Sequence, residues 1–92
     1  MKKILKLYID RTEKLISSAL PLAKTDTIFP EVRKLIDDMQ KEAMSTKDEM
    51  LHPTLYNAAA TIATAPEGCS VRQLSEALSD AKAEMEAMEE YF

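Results

Sequence analysis

Ser70-Val71-Arg72-Gln73-Leu74-Ser75-Glu76-Ala77-Leu78-Ser79-Asp80-Ala81-Lys82-Ala83-Glu84-Met85-Glu86-Ala87-Met88-Glu89-Glu90-Tyr91-Phe92 is the stretch that decides the fold. Val71, Leu74, Leu78, Ala81, Met85, Met88 and Phe92 step by three and four in alternation, the a/d spacing of a helix that buries one narrow stripe. Ser70 and Gln73 form an S-x-x-Q capping box at its start, and Cys69 is placed to staple onto Leu74. A helix from Val71 to Phe92 would be about 33 Å long. It must lay its stripe against something, and what covers the stripe bears on function.

Upstream, Ala65-Pro66-Glu67-Gly68 reads as a tight turn with Pro second and Gly fourth. Before it, Leu55, Ala58, Ala59 and Ile62 give the inner face of a short, alanine-rich helix from near Pro53 to Thr64. Further back, Val32, Leu35, Ile36, Met39 and Ala43 repeat as a buried helical face. Pro30 suits a first-turn position, and Glu31 suits the positive end of the helix dipole. Met50 falls seven residues after Ala43, so the spacing predicts one helix from Pro30 into the late forties, bent near Ser45-Thr46 and broken by Pro53. Thr46-Lys47-Asp48-Glu49 is a competing capping box that would start a new turn. The first helix runs from Lys2 to Ala19. Leu5, Tyr8, Leu15 and Ala19 share a face with Thr12 as a polar gap, and Ile4, Ile9 and Ile16 widen it. Pro21 stops this helix. Leu22, Ile28 and Phe29, in the connection 21–29, are expected to plug the bundle end.

These elements predict an all-α fold: a small antiparallel bundle of four helices, one of them short, in up-down-up-down order and with no sheet. Ninety-two residues make one domain, 1–92. A chain of this size buries only about 60% of its unfolded surface, so its stability margin is thin. The single Gly, the many Ala and the absence of any clean period-two alternation agree with helix. Cys69 is alone, which rules out an intramolecular disulfide and fits a reducing compartment. Lys6, Asp10, Arg11, Glu13 and Lys14 interrupt any apolar leader segment, and no apolar run approaches the ~18 residues of a membrane span. A cytoplasmic protein is the expectation.

Charge is unevenly spread. Lys2, Lys3, Lys6, Arg11 and Lys14 against Asp10 and Glu13 give the first twenty residues +3. Arg72 and Lys82 against Glu67, Glu76, Asp80, Glu84, Glu86, Glu89 and Glu90 give residues 67–92 a balance of −5. A basic first helix and an acidic last one are expected to pair. Glu84, Glu86, Glu89 and Glu90 crowd a helix C-terminus, where the dipole disfavours anions. They read either as a solvated face or as a docking surface for a basic partner.

Catalytic chemistry is poorly supported. There is no phosphate-cradling loop, nucleophile elbow or zinc spacing, and no cofactor or metal is expected. His52 with Asp48 and Glu49 has no recognised ligand spacing and reads as a helix boundary. Cys69 reads as a staple residue. Gly68 to Leu78 is similar to the first helix of a helix-turn-helix, but an acidic continuation replaces the basic recognition helix, which argues against nucleic acid. Adaptors, chaperones, inhibitors and immunity proteins of bacteria and phages share such a small helical layout, though no motif ties the chain to them.

The sequence therefore points to a non-enzymatic protein-interaction module acting through the last helix. Met85, Met88, Tyr91 and Phe92 are the expected apolar anchors, with Glu86, Glu89 and Glu90 as steering charges. The expected partner is basic, or presents an amphipathic helix or a groove. On this reading, truncation after Lys82 abolishes binding and leaves a folded core. The alternatives are a homodimer formed through the heptad seam itself and, ranked below it, a DNA-binding helical protein.

Overall fold

A computed structural model describes residues 2–92. It contains four helices: α1 (Lys2–Ala19), α2 (Phe29–Ser45), α3 (Leu51–Ala63) and α4 (Val71–Glu89). Each forms where an apolar stripe recurs at helical spacing. In α1 the stripe is Leu5, Tyr8, Ile9, Leu15 and Ala19, and in α2 it is Val32, Leu35, Met39 and Ala43. Thr12 sits fully buried inside the α1 stripe. Its hydroxyl donates to the Tyr8 carbonyl at 2.7 Å, so the polar gap satisfies itself within the helix.

Named cross-helix pairs establish the directions. Glu13 meets Lys82 at 3.6 Å, while Ile16 and Leu20 share a groove with Val71 and Ser75. Residue numbers thus rise in α1 as they fall in α4, and the two helices are antiparallel. Tyr8 and Arg11 reach Asp38, and Leu15 lies beside Glu31 and Leu35. His52 reaches Ala43, while Arg33 pairs with Glu67. Thr61 meets Glu84, while Pro53 lies by Met88. All four neighbouring pairs are antiparallel, and the bundle measures 39 × 21 × 17 Å.

Packing runs in the order α1–α4–α3–α2, and the ring closes through a thinner α1–α2 contact. That seam depends more on polar groups than the others do. Arg11 pairs with Asp38 at 3.0 Å and lies over the Tyr8 ring at 5.5 Å, while the Tyr8 hydroxyl donates to the Asp38 carbonyl. Burial and the nearby Glu42 carboxylate push the Tyr8 phenol above its usual range.

The 21–29 connection closes one end as expected. Ile28 and Phe29 are buried and Leu22 is half-buried against the core. Thr25, itself buried, donates its hydroxyl to the Cys69 carbonyl at 2.8 Å and ties this connection to the α3–α4 link.

Three boundaries differ from the sequence expectation. α2 does not continue into the late forties: it ends at Ser45, and Thr46 is extended. Asp48 then caps a new helix, its carboxylate accepting from the backbone N–H of Met50 at 2.8 Å and of Leu51 at 3.0 Å. Met50 is left 38% exposed, and Leu51 takes the buried position instead. Pro53 lies in the opening turn of α3, where a missing N–H costs little, so it does not break the chain there. The α3–α4 turn is shifted by one residue. Cys69 N–H donates to the Pro66 carbonyl, and Gly68, at φ +85°, holds the third position, which needs a left-handed residue. Finally, α4 stops at Glu89 rather than Phe92. Tyr91 and Phe92 close a tighter turn onto Met88 and Glu89.

Candidate protein-docking site

Ser70 starts α4 as the sequence predicts, its hydroxyl accepting from the Gln73 N–H at 3.1 Å. From there Leu74, Leu78, Ala81 and Met85 are fully buried. The seam is core along this length, spent on α1 and α3, and the fold leaves it no free face for a second copy. Val71, by contrast, is only half-buried.

Met85 must be removed from the set of anchors. It is completely buried among its own chain's side chains and presents nothing to a partner. Truncation after Lys82 would remove this core residue, so it is no longer a clean test of binding. Phe92 is half-buried against the core. Met88 is half-buried, Tyr91 is 63% exposed, Glu86 and Glu90 are exposed, and Glu89 is half-buried.

Helical spacing divides these residues between two sides. Glu84 faces α3, accepting from the Thr61 hydroxyl at 2.5 Å. Ala87 and Met88 follow at three and four residues and share its side, while Tyr91 lies past the end of α4 in the closing turn. Lys82 faces α1 through Glu13, and Glu86 and Glu89 follow it at four and seven. The glutamates expected to steer a partner toward the apolar anchors therefore sit largely on the opposite flank. Carrying the Lys82–Glu13 register seven residues further brings Glu89 abreast of Lys6. The basic start of α1 is thereby set beside the acidic end of α4. The ion pair that forms between these helices runs the other way, with the cation from α4 and the anion from α1.

On the α3 side, Pro53, Thr54, Asn57, Glu84, Ala87 and Met88 line an open cleft of about 350 Å³. The α3 half of this region was missed by sequence reasoning. Its signal was a plain one: no Asp, Glu, Lys or Arg occurs from Met50 to Pro66, in a chain that is 30% charged. Tyr56 is 49% exposed there, with Met44 at 72% near the α2–α3 corner.

His52 lies at the same corner. Its Nδ1 is 2.6 Å from the Ala43 carbonyl, and its ring stacks on Tyr56 at 5.9 Å. Asp48 is engaged in capping α3, and among the described residues no three His, Cys, Asp or Glu side chains converge as metal ligands would. Cys69 is half-buried. The helix-turn-helix likeness ends at Leu78, because α4 runs on without a turn. Among the described residues no helix is long and apolar enough to cross a membrane.

Comparison with protein-family models, curated proteins and solved structures finds no match for this chain.

Proposed function

We propose that the protein is a non-enzymatic interaction module whose α3–α4 cleft receives an amphipathic helix of a partner protein. The observation that carries this reading is the company Met88 keeps. It is a half-buried methionine in an open cleft with Pro53 and Ala87, and an exposed tyrosine, Tyr91, follows three residues on in the turn that closes α4. Methionine adapts its shape to a guest, and tyrosine supplies contact area at low entropic cost. Glu84 lines the site and favours a basic helix, mainly through the rate of encounter.

The test uses the whole chain as bait in an extract of its source cell, beside Met88→Asp and Tyr91→Ala. A control, Ser17→Asp, changes the exposed face of α1. The expected result is a protein held by the wild type and the control, and lost from both cleft variants while their circular dichroism is unchanged. Equal retention by all four baits overturns the reading.

A further inference from the structure

α3 is unlike the other three helices in having no charged residue. Its outward side, Pro53, Tyr56, Ala60, Ala63 and Thr64, is exposed. The outer face of a surface helix is ordinarily where charge collects. Here it carries a half-exposed tyrosine among small side chains, with Met44 and Met50 at one end.

We propose that this face pairs with the same face of a second copy of the chain, related by a two-fold axis near Ala60. The first argument is charge. Each copy carries a net −4, so two copies repel in general. The exposed faces of α1, α2 and α4 would set ionised side chains against their own equivalents. The α3 face is where two copies meet with no like charges opposed.

The second argument is shape. Tyr56, Ala60 and Ala63 follow at four and three residues, so they form one row. Antiparallel pairing about Ala60 brings Tyr56 of each copy over the partner's Thr64, next to its Ala63. A row that is bulky at one end and small at the other is self-complementary under a two-fold, as an isologous contact requires. Ala60 at the axis lets the two helices approach closely. Tyr56 is also held in place by its stacking on His52 at 5.9 Å, so little side-chain freedom is lost on pairing.

This contact shares Pro53 with the rim of the partner cleft but involves none of Met88, Ala87 and Glu84, and it does not use the α4 seam. Its test is the mass of the full chain by light scattering, at concentrations from about 1 μM to about 1 mM, which brackets weak to moderate association. The expected mass rises from one chain to two. Tyr56→Ala is expected to weaken the dimer by roughly tenfold or more, as loss of a central aromatic anchor does. Ala60→Glu and Ala60→Arg, at an exposed position, are each expected to remain folded and monomeric. Mixing the two restores a dimer, because the axis then opposes unlike charges. A monomer at every concentration overturns the proposal. So does a dimer that Ala60→Glu leaves intact, or a pair of folded variants that fails to associate on mixing.

Discussion

Met85 and Met88 are three residues apart, and that step moves the side chain from the core to the edge of the cleft. The heptad pattern treats them alike, because a and d positions differ in identity but not in spacing. Burial separates them, and so should substitution. Met85→Ala is expected to cost about 2–5 kcal/mol, the range for emptying a filled core site. In a bundle this small that is a large part of the total stability. Met88→Ala is expected to cost under about 1 kcal/mol, as a partly exposed site loses little packing. Urea titrations of the two variants measure the difference, and equal midpoints would remove the distinction. Ser75 gives a change of opposite sign. Its Oγ is buried with no hydrogen-bond partner among the described residues. Ser75→Ala removes an unsatisfied hydroxyl and adds the best helix former, so stability should rise by about 0.5–1 kcal/mol. A thermal melt with no upward shift contradicts this account. At this scale the sequence was least legible, since exposure depends on what packs opposite and no single stripe contains that.

The helices themselves were legible where apolar spacing and terminal chemistry agreed. Pro21 after α1 and Ser70 before α4 both stand where the sequence puts them. The α2–α3 boundary was misread because two signals conflicted. Met50 keeps step with Ala43, while Asp48 offers a carboxylate to free N–H groups. The cap wins because it satisfies two backbone donors and brings Leu51, in place of Met50, into the buried position. Hydrogen bonds from Leu51 and Met50 hold the Asp48 carboxyl below its ordinary value of 3.8. A group lowered on folding stabilises fully above its unfolded pKa, and loses that contribution as pH falls through the folded value. Asp48→Ala is therefore expected to lower the melting temperature by a constant amount from pH 5 to 8, with the gap narrowing below 3.8. Melts across that range measure it, and a gap that stays constant into acid would show that the carboxylate charge is not what caps α3.

For the whole molecule, composition and spacing gave the all-α bundle and its four antiparallel helices. They did not give the thinner α1–α2 contact, since four similar stripes do not rank their own interfaces. α3 and α4 each pack closely on two neighbours, whereas α1 and α2 each pack closely on one and meet each other across a seam reinforced by Arg11, Tyr8 and Asp38. Amide hydrogen exchange should accordingly be slowest in the middle of α3 and α4, with α1 and α2 opening at lower free energy. Equal protection in all four helices would show the seam to be as firm as the others. The uncharged α3 also decides which enzymes can report on the native protein. Trypsin has no cleavage site between Lys47 and Arg72, and a glutamate-specific protease has none between Glu49 and Glu67. Digestion with either probes the rest of the bundle and releases α3 uncut, so a footprint on its outer face calls for a protease that cuts after tyrosine or leucine.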